Sequence, residues 1–365
     1  MSSTSRNPIP VTLLTGFLGS GKTTLLNRLV RQPGMNRILV VINEFGEIGL
    51  DHQLFSATDE TEVVALDSGC LCCTVRGDLA RTLRDAPWRF SRGGQRQFER
   101  VVIETTGLAD PAPILHTLMT DPKLVPQYRL DGIVTTVDAA HGLGTLDRHP
   151  EAMKQTAIAD LLLLTKSDLA EEASLADLRQ RLAAINPGAA QRVIKAGEID
   201  AEALIGLRLM DADGTRPDLA RWLDGYLDPK PPAMGKLSFS VGATAGLSPM
   251  AIGGREGDGL QNDPNRHDDH ILAHSFTLDT PIDLARFESW LDLMLALMGE
   301  NMLRIKGILN IAGRDRPTVI HGVQHIFHPS VELDAWPNED HRSRLVFITR
   351  DIPRESLESV MVAVS

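Results

Sequence analysis

The sequence lacks long apolar runs and an excess of basic residues. Nowhere in its 365 residues does it approach the roughly 18 consecutive apolar residues that a membrane-spanning helix requires. The formal net charge of −11 argues against a general nucleic-acid-binding protein, whose affinity depends on neutralising phosphates. The first residues also lack the charged start, apolar stretch and cleavage site of a signal peptide. We therefore expect a cytoplasmic protein with no membrane or nucleic-acid partner.

Cysteine is confined to the segment "GCLCC", where Cys70, Cys72 and Cys73 are the three cysteines of the chain. Thiols this close together cannot cross-link distant parts of a fold, which leaves metal binding or redox chemistry. A C-x-C-C array is a compact set of soft ligands suited to Zn²⁺ or another thiophilic ion. The fourth position is left for Glu47, Glu44 or a ligand from a partner. Buried structural thiols and a redox switch stay open as alternatives.

Short apolar segments alternate with helical patterns over the first two thirds of the chain. Each apolar segment is rich in β-forming residues and bounded by Gly, Asp or Thr, which predicts a buried strand. The predicted strands are 10–16, 37–44, 61–67, 100–107, 131–139, 160–168 and 192–199. Helical patterns lie between them, such as 22–32, 175–185 and 218–227. This alternation predicts an α/β fold with a mostly parallel, doubly wound sheet and helices on both faces.

The alternation stops near Asp228, so we assign residues 1–228 to a first domain. Residues 229–269 are rich in Pro, Gly and Asp, which is typical of a linker. Residues 270–365 predict a smaller α+β domain. We expect a helix that covers an antiparallel sheet. The pattern consists of a strand at 271–278, an amphipathic helix at 281–299, apolar stretches at 302–312, 317–328 and 344–350, and a short final helix from Pro353.

The segment "GFLGSGKTT" follows a predicted strand and opens a helix, as a phosphate-binding loop requires. Gly16, Gly21, Lys22 and Thr23 fit the pattern G-x-x-x-x-G-K-[ST]. The glycines let backbone N–H groups turn towards a phosphate chain, and the helix N-terminus adds partial positive charge. We expect the Lys22 ammonium to reach the β- and γ-phosphates and the Thr23 hydroxyl to bind Mg²⁺.

Two further segments predict the Mg²⁺ acid and the base that is recognised. "VVIETTG" offers Glu104 near the Mg²⁺ and Gly107, whose backbone N–H could contact the γ-phosphate. In "LLLLTKSD" the carboxylate of Asp168 can accept from N1–H and N2–H₂ of guanine, which adenine does not present, and the Lys166 stem would lie across the base. Thr165 stands where common GTPases carry Asn. GTP is therefore favoured, and an ATP-using P-loop kinase with a structural zinc is the rival.

Taken together these motifs resemble the CobW family of P-loop GTPases, relatives of the nickel-inserting accessory GTPases of urease and hydrogenase. The matching segments are "GFLGSGKTTLLN", "VINEFGEIGLD", "SGCLCCTVRGDL", "IETTGLADPAPI", "TTVDA", "LTKSDL", "LRIKGIL" and "GVQHIF". The resemblance implies a metallochaperone that hydrolyses the β–γ phosphoanhydride of GTP and delivers a divalent ion, most often zinc, to a client metalloenzyme. It implies that the phosphate cradle includes Gly19, Ser20 and Thr24, that Lys166 and Asp168 read guanine, and that the cysteines bind the metal.

Cobalt for cobalamin synthesis is the second cargo that the resemblance allows, and a redox-gated GTP-binding regulator is the second function. A homodimer is one arrangement open to such a protein. Many members carry a long histidine-rich tract between the domains, whereas this chain has only His267, His270 and His274 there, which we interpret as a solvated linker that enters a strand. We expect GTP and Mg²⁺ to order residues 43–51 and so set the geometry around the thiolates.

Overall fold

The computed structural model describes residues 8–32, 37–45, 62–68, 73–195, 197–204, 207, 270–324, 326–327, 330–337 and 339–361. Of residues 43–45, 62–68, 73–77, 202 and 360 within these ranges, only the backbone is described. The predicted helix at 218–227 and the predicted linker at 229–269 lie outside the described residues. Among the described residues, no helix combines the length and the apolar character that a membrane crossing needs.

The first domain is built on a seven-stranded sheet whose strand order is β3-β2-β6-β1-β7-β8-β9. All neighbouring strands in it run parallel. Its elements in chain order are β1 (Ile9–Gly16), α1 (Lys22–Leu29), β2 (Ile38–Phe45), β3 (Glu62–Ser68), α2 (Cys73–Arg89), the hairpin β4 (Ser91–Arg92) and β5 (Gln95–Arg96), β6 (Arg100–Thr105), α3 (Ala112–Thr120), β7 (Tyr128–Asp138), α4 (Gly142–Arg148), α5 (Pro150–Ala157), β8 (Leu161–Thr165), α6 (Glu172–Ile185), β9 (Ala190–Val193) and a 3₁₀ turn (Ala201–Leu204).

Helices cover both faces of this sheet, because its strands are apolar on both sides. On one face, Leu83 of α2 and Leu115 of α3 pack in one buried cluster with Val11 of β1. On the other face, Leu26 of α1 packs with Val40 of β2. Strands buried on both faces read as continuous apolar runs, which is why the sequence shows no polar alternation in them. The predicted doubly wound, mostly parallel sheet is confirmed.

Six of the seven predicted strands agree with the structure to within a few residues, and the seventh is displaced. It is β9, Ala190–Val193, where the sequence predicts 192–199. Beyond it, Lys195 and Glu198 face each other in an isolated bridge, and Gly197 adopts φ 79. A left-handed residue of this kind suits a tight turn. The apolar and charged residues after Val193 therefore form a turn rather than a longer strand.

The second domain has a six-stranded sheet with the order β10-β15-β11-β12-β13, and β14 pairs with β12. Its elements are β10 (Ile271–Leu278), α7 (Leu284–Met298), β11 (Met302–Leu309), β12 (Thr318–Val323), β13 (Ile326–Phe327), β14 (Val331–Glu332), β15 (Ser343–Arg350) and α8 (Arg354–Met361). All its pairings are antiparallel. The side chain of Asp283 caps α7 by accepting from Arg286 N, and Phe287, Trp290 and Met294 of α7 are buried with Phe347 of β15. The predicted α+β domain is confirmed.

The two domains share buried contacts. Leu164 of β8 and Leu182 of α6 belong to the same apolar cluster as Leu303 of β11 and Ile348 of β15. Beside these apolar contacts, the carboxylate of Asp160, the residue before β8, pairs with Arg304 and Lys306 of the second domain. The domain contact is therefore both apolar and charged.

Candidate functional site

The loop between β1 and α1 curls at the carboxyl end of the sheet, as its glycines allow. Gly16 has φ 140, and a Cβ there would lie 2.3 Å from Thr136 Oγ1. Gly19 and Gly21 have φ 71 and φ 90. Side chains are disfavoured in these left-handed conformations, and at Gly16 the close approach to β7 excludes them as well. Ser20 Oγ lies 2.6 Å from Thr136 Oγ1, which ties the loop to β7.

The Lys22 side chain lies within this loop. Its Nζ donates to the carbonyls of Gly16, at 2.8 Å, and Phe17, at 3.1 Å. The residue is only 8% exposed. A buried ammonium at the N-terminus of a helix is the charge arrangement that favours polyphosphate binding.

The first turn of α1 and the end of β6 bring two oxygen ligands together. Thr23 Oγ1 donates to Glu104 Oε1 at 3.3 Å, although the two residues are 81 positions apart. Glu104 is 5% exposed. A hydroxyl next to a buried carboxylate, at the edge of a phosphate loop, fits Mg²⁺, which prefers oxygen ligands and phosphates. The predicted Mg²⁺ pair thus lies together in the structure.

The loop after β6 packs directly on the phosphate loop. A Cβ on Gly107 would lie 2.5 Å from Leu18 N and 2.6 Å from Leu18 Cα. Real Cβ atoms do not approach backbone atoms this closely. Gly107 is therefore required for the approach, and its position suits a backbone N–H that contacts the terminal phosphate.

The segment after β8 joins the opposite side of the phosphate loop. Thr165 is buried, and its hydroxyl donates to Ser20 O at 2.7 Å. It therefore supplies a hydrogen bond to the loop backbone, and Thr in place of Asn does not leave this position without a donor. Lys166 adopts φ 52, and Asp168 is exposed beyond it. Lys166 lines one cavity with residues 17–20 of the phosphate loop, and Asp168 lies exposed two residues further along the chain.

The Lys166 ammonium is held by an acid from β7. Its Nζ donates to Asp138 Oδ2 at 2.7 Å. Burial raises the pKa of Asp138, but the hydrogen bond from Lys166 and the backbone N–H groups of Ala140 and His141 outweigh it, so the pKa lies below its ordinary value. The acid therefore stays ionised and fixes the direction of the lysine stem. The segment "TTVDA" contains Asp138, but the sequence motif alone does not predict this contact with Lys166.

The turn after β9 packs along helix α1. A Cβ on Gly197 would lie 3.5 Å from Thr24 Cγ2 and 3.3 Å from Arg28 Cδ. Arg28 Nη1 also pairs with Glu198 Oε1 at 3.0 Å. Gly197 and Glu198 therefore pack along α1, and Ser167 of the predicted base-reading segment donates to Ile194 O at 3.2 Å.

Only part of the predicted metal motif lies within the described residues. Cys70, Cys72 and Glu47 lie outside them, and the backbone alone is described for Cys73, the first residue of α2, and for Glu44 in β2. Sheet order gives the distance of this edge from β6, the strand that carries Glu104. β3 pairs with β2 and β2 with β6, so the end of β3 lies two strand spacings, roughly 10 Å, from β6.

The histidines before and within β10 form no cluster in the part of the chain that the structure describes. His270 Nδ1 pairs with Asp351 Oδ1, and His274 is buried. His267 lies outside the described residues. No group of three His, Cys, Asp or Glu suited to a metal occurs among the described residues. His270 therefore immediately precedes β10, whereas His274 lies within it and is buried rather than solvated.

Two buried polar residues have no counterpart in the sequence motifs. Gln155 of α5 is 1% exposed and bonds to the loop after β6. Asp160 accepts from Ile133 N at 2.9 Å and pairs with Arg304 and Lys306 of the second domain. Asp160 precedes the apolar run "LLLL" and Gln155 stands between Lys154 and Thr156, and neither pattern indicates the partner.

The family models match both halves of the chain. Residues 10–192 match the CobW/HypB/UreG nucleotide-binding domain, and residues 271–364 match the Cobalamin synthesis protein cobW C-terminal domain. The zinc chaperone YjiA of Escherichia coli is 33% identical over 354 residues, which cover 97% of this chain and 98% of that protein. The zinc chaperone CobW of Pseudomonas aeruginosa is 30% identical, with 96% of this chain and 89% of that protein covered.

A solved structure extends the likeness to three dimensions. The Zn(II)-bound YjiA GTPase from Escherichia coli superposes with a TM-score of 0.66 at 29% sequence identity, covering 99% of this chain and 100% of that one. These matches confirm the family that the motifs predict. The chain belongs to the CobW/HypB/UreG family and carries the CobW-type C-terminal domain.

Proposed function

We propose that this protein is a P-loop GTPase that acts as a zinc metallochaperone, binding Zn²⁺ at Cys70, Cys72 and Cys73 and delivering it to a client protein when GTP is hydrolysed. The observation that carries the GTPase part is the Thr23–Glu104 pair beside the buried Lys22 ammonium. Family membership and the relatives named as zinc chaperones support the metal part.

The nucleotide chemistry follows from the geometry of the loop. The curled backbone and Lys22 bind the phosphates, with Gly16, Gly19, Ser20, Gly21 and Thr24 completing the cradle. Thr23 and Glu104 would hold Mg²⁺, which would supply positive charge against the phosphate oxygens. Lys166 and Asp168 orient guanine, Thr165 fixes their segment to the loop, and Gly107 N–H contacts the γ-phosphate. Positioning and charge are the main requirements of phosphoryl transfer.

The cargo chemistry follows from the donor set. Three thiolates bind Zn²⁺ strongly and leave a fourth position for Glu47, Glu44 or the client's own ligand. Such an open position allows the ion to be passed on. The end of β3 lies roughly 10 Å from β6. We propose that GTP orders residues 43–51, of which 46–51 lie outside the described residues, and that this order would connect the γ-phosphate to the metal. Loss of the γ-phosphate would then weaken metal binding.

Turnover without a partner is expected to be slow. The predicted catalytic groups are Lys22, Thr23, Glu104 and Gly107, and they include no arginine placed in line with the phosphates. Such an arginine increases the rates of related reactions by about 10³ to 10⁵. A client or the metal-loaded state would supply the missing acceleration, which links hydrolysis to delivery.

A competition titration tests the proposal. Zinc affinity is measured against a chelating dye with GDP and with a non-hydrolysable GTP analogue, for the wild type, Cys72→Ser and the double variant His267→Asn/His270→Asn. We expect tighter zinc binding with the analogue, a loss in Cys72→Ser, and no change in the histidine control. Equal zinc affinity of Cys72→Ser and the wild type in the analogue-bound state would refute the cysteine site.

The same titration with Co²⁺, together with measurements of GTP and ATP affinity, separates the alternatives. A cobalt cargo would show as tighter Co²⁺ than Zn²⁺ binding at equal free ion concentration. A redox-gated regulator would change GTP affinity when the cysteines are oxidised, while a chelator would have no effect. A P-loop kinase would bind ATP at least as tightly as GTP.

A further inference from the structure

Helix α5 reaches the loop after β6 through two adjacent side chains. Gln155 Nε2 donates to the carbonyls of Gly107 and Ala109, each at 3.1 Å. Lys154 Nζ donates to Asp110 Oδ2 at 3.2 Å. Three residues of one short loop are thus held by neighbouring residues of a helix that lies 44 to 48 positions later in the chain.

The Gln155 contact lies inside the protein, where its geometry is sharply defined. Gln155 is 1% exposed, and both hydrogens of its amide are used by the two carbonyls. It therefore has no donor left for an attacking water, and it acts on the loop backbone instead. Since Gly107 also packs on Leu18 of the phosphate loop, the amide holds the Gly107 carbonyl beside that contact.

Helix α5 is itself well anchored, which makes it a firm support. Asn186 Nδ2 donates to the carbonyls of Thr156, Ala157 and Ala159 at 2.9 to 3.0 Å. Thr135 of β7 donates to Gln155 O at 2.8 Å. A site residue held by a rigid second layer keeps its geometry through turnover.

We propose that Gln155 and Lys154 are positioning residues of the GTPase reaction, which hold the loop 107–110 so that Gly107 N–H meets the γ-phosphate. The inference rests on the proposed function. It assigns to α5 the discrimination between GTP and GDP, since GDP has no γ-phosphate for Gly107 to contact.

The test compares Gln155→Glu and Lys154→Met with the wild type. Gln155→Glu keeps the shape of the side chain but replaces two donor hydrogens with a carboxylate that faces two carbonyls. Gln191→Glu is the matched control. Gln191 lies in β9, at the edge of the sheet, and its Nε2 also donates to a backbone carbonyl, that of Arg179 in α6. The affinities for GDP and for a non-hydrolysable GTP analogue, and the GTP hydrolysis rate, are measured on the full chain.

We expect Gln155→Glu to lower the ratio of analogue affinity to GDP affinity roughly tenfold or more. It should slow GTP hydrolysis by at least the same factor. Lys154→Met removes a partly exposed pair and should lower the same ratio about two- to fivefold. Gln191→Glu should match the wild type. If Gln155→Glu does not fold, as judged by its GDP binding, the partly exposed Lys154→Met variant decides alone.

The inference is overturned if both variants keep the wild-type ratio of analogue affinity to GDP affinity. It is also overturned if both variants lower the GDP affinity as much as the analogue affinity, which would indicate general loss of structure. A wild-type protein without GTPase activity would instead refute the proposed function. The two failures are therefore distinguishable in one set of measurements.

Discussion

Replacing Gly107 with alanine tests the contact between the loop after β6 and the phosphate loop. The added Cβ would lie 2.5 Å from Leu18 N and 2.6 Å from Leu18 Cα, where ordinary contacts begin at 3.4 Å. Both atoms are backbone, so rotation of a side chain cannot relieve the overlap. The two loops must separate by about 0.9 Å, the difference between these distances.

A displacement of this size has a known order of effect on catalysis. A misplacement of about 1 Å lowers a rate by roughly 10²-fold, which corresponds to about 2.7 kcal/mol of activation free energy. The backbone of Gly107 has no left-handed requirement, so the effect should come from the overlap alone. We expect Gly107→Ala to hydrolyse GTP about 100-fold more slowly, with GDP affinity close to that of the wild type.

Single-turnover GTP hydrolysis, with nucleotide affinities measured in parallel, provides the assay. Gly144→Ala in α4 is the control, because the Cβ there meets only the end of the flexible Arg148 side chain, at 3.2 Å, and alanine favours a helix. A wild-type rate in Gly107→Ala would refute the argument that this loop must touch the phosphate loop for hydrolysis.

Three further outcomes follow from named contacts. Asp168→Asn should weaken GTP about 10- to 100-fold and favour xanthosine triphosphate, whose C2 carbonyl can accept from the new amide; unchanged GTP affinity in a binding titration would contradict this role. Thr165→Val removes the hydroxyl that donates to Ser20 O and should lower stability by about 1–3 kcal/mol, measured as an earlier urea midpoint; a wild-type midpoint would count against it. Burial first, and then the Arg304 guanidinium, lower the pKa of Lys306 from 10.5 to about 7 against the opposing charge of Asp160. The folded protein then loses a proton that the unfolded chain keeps between pH 7 and 10.5, so the free energy of unfolding should rise with pH across this window, and Lys306→Met should lack the rise when urea midpoints are compared at pH 7 and pH 9.

The local motifs and the alternation of elements can be predicted from the sequence because their causes are local. A buried parallel strand needs a continuous apolar run, and a phosphate loop needs glycines between a strand and a helix. The strand β1, the loop from Gly16 and the start of α1 at Lys22 follow from these requirements. The end of β9 does not, because Val193, Lys195 and Gly197 allow both a strand and a turn.

The partners of buried polar residues could not be predicted in this way. The contact of Thr23 with Glu104 is suggested by chemistry, since a Mg²⁺ site needs both. Gln155 and Asp160 carry no such motif, and their partners at Gly107 and Arg304 lie 48 and 144 positions away. Burial raises the pKa of Asp160, but Arg304, Lys306 and Ile133 N–H hold it below its ordinary value, an outcome that depends on how the two domains meet.

The sequence by itself determined the phosphate loop, the order of strands and helices, the C-x-C-C segment and the family, because each depends on residues that are close along the chain. The tertiary structure decided which distant groups meet: Gly107 against Leu18, Thr165 against Ser20, and Asp160 against the second domain. These contacts depend on which strands are neighbours in the sheet and on packing across two domains, and neither can be predicted from the local pattern of residues.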